Sequence, residues 1–462
     1  MLDTVTKRAA PAGASATASI GARLDRMPIT PTHRSITAVI GVGLLFDTFE
    51  NNLSGTIAKV LQEDFAFGAT QLKLVLASAF IGQFIGSLLL GKVADRFGRR
   101  RAFLINLAIY SGFSLLGAFS PNAAWLIATR FLAGIGIGAE QSLSDCYLSD
   151  VLPAAKRGRF IAWAYTLAFC GVPAVGFAAL WLVPLTPLGV DGWRWLFVIG
   201  ALGSAVVWVL RRRLIESPRW LAAVGREDEA DELVSRMEAE VPGGAPAMEV
   251  VKEEAADTPP MRLRDIFHPQ LRRRTVMLWI FCVLSVVGYY GFGTLAPQIL
   301  AAKGYGIVAG LGFTAVSFLG YPVGSALSLP IIDRVERKRL VAASAAAMVV
   351  AGLGFSFAGS ATLIMVFGFT YTVCSNVFSS VSHVYLAEQY PTAIRAAASG
   401  AAYSLSKLSA ATLPFVLLPV LQSYGPVALF AVIATVMTAL AVTVLTLGDR
   451  TTGASVDRAL SS

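Results

Sequence analysis

Four polar side chains, Asp47, Glu50, Asn51 and Asn52, interrupt a long apolar run near the start of the chain. On insertion scales an acid at the centre of a membrane-spanning helix costs at least about 2.5–3.5 kcal/mol, so it is expected to face an interior and to have a partner. Spacings of three and four put Asp47, Glu50 and Asn51 on one helical face. Desolvation favours the protonated form of a carboxyl and a nearby cation favours the ionised form. A carboxyl held between the two can exchange a proton near neutral pH. Asp47 is the first candidate for such a proton-coupling group and Glu50 the second.

Cations in other apolar runs complement these acids. Arg130 shares a helical side with Gly134, Gln141 and Asp145, with Glu140 adjacent. Its guanidinium can offer a fork to a substrate carboxylate, or it can form a static ion pair with the first-run acids. Lys407 stands alone in a late run, one turn from Tyr403, and is a second anion-binding candidate. Tyr289 and Tyr290 lie in a run broken by Gly288, Gly291, Gly293 and Pro297, where their rings can cap a ligand. Asn376 and His383 share a face; Asn376 is read as substrate-binding, like Asn51 and Gln141. His383 is read as a hydrogen-bonded residue rather than a proton carrier. No nucleophile–base set, metal-ligand spacing or phosphate-binding loop is found, so the chain is read as a non-enzyme without cofactor or metal. Cys146, Cys170, Cys282 and Cys374 are read as small packing residues, not as disulfides or a zinc site.

The elements that hold these groups are legible from composition. Of the 462 residues, 55% are hydrophobic and 15% charged, and mean hydropathy is +0.64. A soluble fold cannot hide that much apolar surface behind so few charges. The apolar residues fall into about a dozen runs of spanning length, approximately 36–61, 72–94, 102–120, 124–147, 159–183, 194–211, 274–300, 306–332, 340–358, 361–386, 397–421 and 426–447. The expected fold is an all-α polytopic membrane protein of twelve transmembrane helices. The net charge of +9 comes from Arg and Lys in alternate loops. That is a positive-inside signature and not a nucleic-acid surface, and it puts both termini in the cytoplasm. Residues 1–35 are read as a cytoplasmic tail, 36–211 as one six-helix bundle, 212–273 as a cytoplasmic central loop, 274–447 as a second bundle and 448–462 as a second tail. The central loop is expected to hold a short interfacial helix at Pro218–Trp220, an acidic helix over 226–240 and a further helix start near Met261.

A charged phrase occurs twice at one spacing. Asp95-Arg96-Phe97-Gly98-Arg99-Arg100-Arg101 returns as Asp333-Arg334-Val335-Glu336-Arg337-Lys338-Arg339. Tyr147-Leu148-Ser149-Asp150, followed by Pro153 and Arg157, returns at the same offset as Tyr385-Leu386-Ala387-Glu388, followed by Pro391 and Arg395. The chain therefore reads as a duplicated membrane unit, with a central site between matching halves. Asp95, Arg99, Asp150, Arg157, Asp333, Arg337, Glu388 and Arg395 are expected at cytoplasmic helix ends. There, opposite charges can pair when that side is shut and separate when it opens. Gly82, Gly86 and Gly91, and Gly134, Gly136 and Gly138, are expected to let helices approach closely.

These motifs resemble the major facilitator superfamily. Its loop between spans two and three is matched by Gly91, Asp95, Arg96, Gly98, Arg99 and Arg100, and its fourth-span motif by Arg130–Gly138. The Tyr147–Arg157 and Tyr385–Arg395 phrases, with Glu216–Leu221, are similar to the sugar-porter and metabolite–proton symporter (organic-ion) branch. Sugar porters carry a Gln/Asn-rich phrase before the paired tyrosines, where this chain has Leu284-Ser285-Val286-Val287. The resemblance implies two pseudo-symmetric six-helix bundles rocking about a central site, in a multi-pass protein of the bacterial inner membrane that works as a monomer. The expected function is proton-coupled uptake of a small organic metabolite, most plainly a carboxylate or aromatic acid. Efflux, sugar or polyol symport, and a non-transporting nutrient sensor stay open.

Overall fold

The computed structural model describes residues 20–242, 267–332, 334–387, 389 and 395–449, without the side chains of Lys92, Asp95, Gln270, Ala387 and 395–400. The order is α1 (Ile20–Arg26), α2 (Pro31–Thr56), α3 (Ala58–Asp64), α4 (Ala69–Phe97), α5 (Arg99–Ala118), α6 (Ala123–Gly138), α7 (Glu140–Val151), α8 (Ala154–Phe169), α9 (Gly171–Leu182), α10 (Gly192–Arg211), α11 (Pro218–Ala223) and α12 (Glu227–Ala239). The second half holds α13 (Pro269–Ala302), α14 (Ile307–Phe318), α15 (Gly320–Ser328), α16 (Arg337–Phe357), α17 (Ala361–Ala387) and α18 (Arg395–Leu447).

Among the described residues, ten helical stretches are long and apolar enough to cross a membrane. The last of them turns at Gly425, whose φ of 78° divides α18 into two crossings. With α2, whose apolar run is diluted by its four polar residues, the described residues make twelve crossings in two bundles of six. Three crossings are broken in the middle: α6 and α7 meet at Ala139, α8 and α9 at Cys170, and α14 and α15 at Leu319. The first crossing begins at Pro31, five residues before the sequence boundary. Pro at the first helical position has no N–H to orphan, and Thr30 caps the end by donating its N–H to His33 Nδ1 at 3.0 Å.

Small residues set the packing of α4 on α6. A Cβ at Gly82 or Gly86 would lie 2.0 Å from the carbonyl oxygens of Phe131 and Ile135. Reciprocally, one at Gly134 or Gly138 would lie 2.2 Å from those of Ala79 and Gln83. Gly91 is different. Nothing lies within 4 Å of its missing Cβ, so it is not a packing glycine.

The duplicated loop phrase builds a polar platform at the Arg-rich end of the first half. Gly98 turns the chain at φ 96°, and a Cβ there would sit 2.4 Å from Glu216 Oε2. The Glu216 carboxylate accepts from the Arg99 and Arg100 amides at 2.8 and 3.2 Å, capping α5. Ser217 donates to Asp150 at 2.9 Å, Arg99 Nε stands 3.8 Å from the same carboxylate, and the Tyr147 hydroxyl donates to Ile215 O at 2.7 Å. Arg157 and Arg219 pair with Asp25 of α1 at 3.0 and 2.8 Å. These pairs join parts of the first half to one another, not the two halves. Arg157 thus has a partner that the repeat did not indicate. Arg96 is exposed and Arg337 buried at the start of α16; the side chains of Asp95, Asp333, Glu388 and Arg395 lie outside the described residues. So do Met261 and most of 448–462.

The segment before α2 is more than a tail. From residue 20 it forms α1, whose Leu24, with Met27 just beyond the helix, is buried in one cluster with Val234 and Met237 of α12. Arg23 bonds Glu238 at 2.7 and 3.1 Å and also pairs with Asp231, while Arg26 reaches Glu238 at 3.1 Å. The bonded Arg23 guanidinium holds the Glu238 carboxyl below its usual range. A depressed carboxyl contributes stability above its unfolded value, about 4.3, and loses it as pH falls through the lower folded value. Hydrogen exchange of the α1 amides, corrected for intrinsic rates, should therefore speed up between neutral pH and pH about 2 in wild type. Glu238→Gln should show the faster exchange already at pH 7. Equal protection at both pH values in wild type would refute the coupling.

Candidate functional site

A cavity of about 130 Å³ lies between the halves. The first half lines it with Asp47, Thr48, Asn51 and Asn52 of α2, Gln83 of α4, Gln141 of α7, and Tyr165 and Phe169 of α8. The second half contributes Phe281, Ser285, Tyr289 and Tyr290 of α13, Phe378 and His383 of α17, and Tyr403, Ser406 and Lys407 of α18. At the end remote from the Arg-rich loops the halves touch closely. A Cβ on Gly55 of α2 would lie 2.9 Å from Thr294 Cα of α13, and one on Gly176 of α9 would lie 3.0 Å from Ala315 Cα of α14. Tyr290 adds an edge contact to Phe80 of α4, with centroids 5.0 Å apart.

The face of α2 divides the expected acids. At about 100° per residue Asn51 sits some 40° past Asp47, whereas Glu50 sits some 60° before it. Asp47 and Asn51 reach the cavity, and Glu50 turns into the first bundle between α5, α6 and α10. There Glu50 Oε2 pairs with Arg130 Nη1 at 2.9 Å, and both side chains are essentially inaccessible. Arg130 Nη2 donates to Glu50 O at 2.9 Å, and Ser114 Oγ donates to Glu50 Oε1 at 2.5 Å. The Arg130 guanidinium also lies 5.6 Å over the Phe197 ring, and a Cβ on Gly200 would collide with Glu50 at 2.0 Å. Of the two roles open to Arg130, the structure shows the ion pair; neither Arg130 nor Glu50 lines the cavity.

Among the described residues, the charged groups on the cavity wall are Asp47 and Lys407. Asp47 is 8% exposed, its Oδ1 has no hydrogen-bond partner among the described residues, and Lys407 stands within electrostatic reach. Among the described residues Lys407 forms neither a hydrogen bond nor an ion pair. Gln83 Nε2 donates to Asn51 Oδ1 at 2.7 Å and fixes that amide. Tyr289 and Tyr290 meet edge to face at 4.9 Å, and Tyr289 continues to Tyr321 at 5.7 Å. His383 is hydrogen-bonded to Tyr403, as expected for it, and its ring lies 5.9 Å from that of Tyr165. Tyr165 in turn donates to Asp145 Oδ1 at 2.7 Å. Asn376 is not a cavity residue. Wholly buried, it donates to Tyr321 O at 2.5 Å and ties α17 to α15.

Sequence reasoning missed a second buried ion pair, Glu140 with Arg211. Arg211 opens a run of three arginines with Arg212 and Arg213, the pattern of a basic loop, yet it is fully buried and stacks 4.3 Å over the Phe103 ring. The signal was present in α10. Gly200, Ser204, Val207 and Arg211 continue one stripe at spacings of four, three and four, the buried face of that helix.

Comparisons with known proteins agree with this arrangement. The profile described as "Sugar (and other) transporter" matches residues 36–457. The protein YyaJ of Bacillus subtilis is 31% identical over 396 residues, covering 84% of this chain and 86% of its own. The niacin transporter NiaP of Acinetobacter baylyi is 29% identical over 437 residues, covering 94% and 98%. In fold, the xylose transporter XylE from E. coli, in a partially occluded inward-open conformation, superposes with a TM-score of 0.74 at 20% identity, covering 91% and 99%. With twelve crossings in two bundles about a central polar cavity, the chain belongs to the sugar (and other) transporter family of the major facilitator superfamily.

Proposed function

We propose that this transporter carries a small aromatic carboxylate together with a proton, inward, across a bacterial inner membrane, with the Arg-rich end in the cytoplasm and one chain as the working unit. The observation that carries the reading is Lys407, a cation without a bonded partner among the described residues, on the wall of a cavity to which its own half also contributes Phe281, Tyr289, Tyr290 and Phe378. A carboxylate can take a charge-assisted hydrogen bond from Lys407 while its ring rests against Tyr289, Tyr290, Phe281 and Phe378. Asp47 supplies the coupling. Ionised, it balances Lys407 across the cavity. An arriving anion disturbs that balance unless Asp47 takes up a proton, so one proton and one carboxylate move together with the buried charge unchanged. A relative named as a niacin transporter fits this chemistry, since niacin is an aromatic carboxylate.

A second reading, sugar symport, is favoured by the amides of Asn51, Asn52, Gln83 and Gln141 on the opposite wall and by an arabinose–proton symporter of Bacillus subtilis that is 27% identical. A thermal-shift titration of the purified protein with nicotinate, benzoate, arabinose and xylose at two pH values separates the two. Acid-selective stabilisation is expected; stabilisation by sugars alone overturns the carboxylate assignment. Asp47→Asn should retain nicotinate exchange between filled and loaded liposomes yet lose accumulation driven by a pH gradient. Undiminished accumulation by that variant would refute the role of Asp47. Efflux would show instead as net extrusion under the same inwardly directed gradient.

A further inference from the structure

Behind Asp47 lies a second polar region, inside the first bundle and apart from the cavity. It centres on the Glu140–Arg211 pair, with both side chains at most 1% exposed. Asn106, Tyr110 and Ser144 are also fully buried or nearly so. None of these five residues lines the cavity, whereas Gln141, next to Glu140, does. Among the described residues, both polar atoms of the Asn106 amide and the Ser144 hydroxyl have no hydrogen-bond partner, and neither do the Glu140 carboxylate and Arg211 guanidinium beyond their mutual ion pair. Buried donors and acceptors that no protein group satisfies are the sites where interior water is held.

The region is connected to Asp47. A Cβ on Gly43 would lie 2.0 Å from Arg211 Nη2, so the guanidinium fills a notch on α2 one turn before Asp47. Asp47 is within electrostatic reach of Glu140, Arg211, Glu50 and Lys407, and Tyr110 is within reach of Asp47, Glu140 and Arg211. At its other end the region stops at Arg211, the last residue of α10, whose neighbours Arg212 and Arg213 are exposed at the Arg-rich end. Glu50 cannot serve the same purpose. Its carboxylate is fully engaged by Arg130 and Ser114.

We infer that Glu140, with water held by Asn106 and Ser144, forms a proton path from Asp47 to the Arg-rich face through the first bundle, separate from the route of the substrate. The inference rests on the proton-coupled reading of Asp47 above. The O–H bond of protonated Asp47 breaks as a water takes its proton. That water passes a proton to the Glu140 carboxylate, and Glu140 releases it to water beside Arg212. Arg211 holds Glu140 in place through their ion pair between transfers.

The test uses the full-length protein in liposomes with [14C]nicotinate as the probe, comparing accumulation driven by a pH gradient with counterflow at equal pH. Glu140→Gln should lower driven accumulation by about tenfold or more while counterflow persists, and Glu140→Asp should restore coupling in part. If Glu140→Gln fails to give monodisperse protein, the double variant Asn106→Leu, Ser144→Ala decides, because it keeps the ion pair and removes the water partners. The same split is expected of it. Coupling at the wild-type level in that double variant, or in folded Glu140→Gln, overturns the path alone. Wild-type protein that exchanges nicotinate but never accumulates it, or does neither, overturns the proton-coupled reading and the path with it.

Discussion

Lys407→Ala is expected to abolish saturable carboxylate transport while leaving the protein folded. Truncating one side of a buried charge-assisted contact costs about 2–5 kcal/mol, or thirtyfold and more in apparent affinity. Folding is spared for a separate reason. Lys407 forms no ion pair or hydrogen bond among the described residues, so its removal orphans no acceptor. Asp47, which Lys407 balances across the cavity, can take up a proton once the ammonium is gone, so no lone charge is left buried. The expected signature is therefore a melting temperature equal to or above that of wild type, together with loss of the nicotinate-induced shift. Lys407→Arg should recover part of the binding, since charge is kept but the ammonium point contact becomes a wider planar fork. A neutral sugar would depend far less on this residue. Lys407→Ala protein that still binds nicotinate as wild type does would remove the carboxylate reading, and the preserved fold makes that result interpretable.

What the chain revealed beforehand follows from how each residue signals. A lone lysine in an apolar run, such as Lys407, stands out because nothing else in the run resembles it. The number of crossings stands out for the same reason, since apolar length is a property of the run and not of its neighbours. Helix rotation is harder to read. Asp47 and Glu50 are three apart and look equivalent, yet the cavity is centred between Asp47 and Asn51, and a rotation of some 100° from Asn51 carries Glu50 into the bundle. Arg211 was hidden by its own sequence context, because a run of three arginines at a helix end is the pattern of an exposed loop. Only the continuing stripe on α10 separates it from Arg212 and Arg213. The α1 helix was missed because seven residues are too few to show periodicity, and the partner that stabilises it lies some 200 residues away in α12. The repeated loop charges were legible as polar helix ends. Their pairing partners, such as Asp25 for Arg157, come from elements outside the repeat.

Breaking the Glu50–Arg130 pair from one side should have the largest effect on stability in the molecule. Arg130→Ala leaves the Glu50 carboxylate buried, with Ser114 as its remaining side-chain donor. Such uncompensated charges typically cost about 3–5 kcal/mol. That is a large share of a marginal stability, and the variant should show a sharply lowered melting temperature and poor yield on fluorescence-detected gel filtration. Neutralising both sides behaves differently, because the desolvation of two ions is relieved together with their attraction. Glu50→Gln combined with Arg130→Met should recover most of the lost stability, giving a coupling of opposite sign to the sum of the single changes. This pair of measurements also decides between the two roles that the sequence left open for Arg130. A structural ion pair predicts that the stable double variant still shows the nicotinate-induced shift, because Lys407 and the aromatic walls are intact. A ligand role predicts a folded double variant that no longer binds. Equal melting temperatures for Arg130→Ala and the double variant would show that the burial of Glu50 does not depend on its partner.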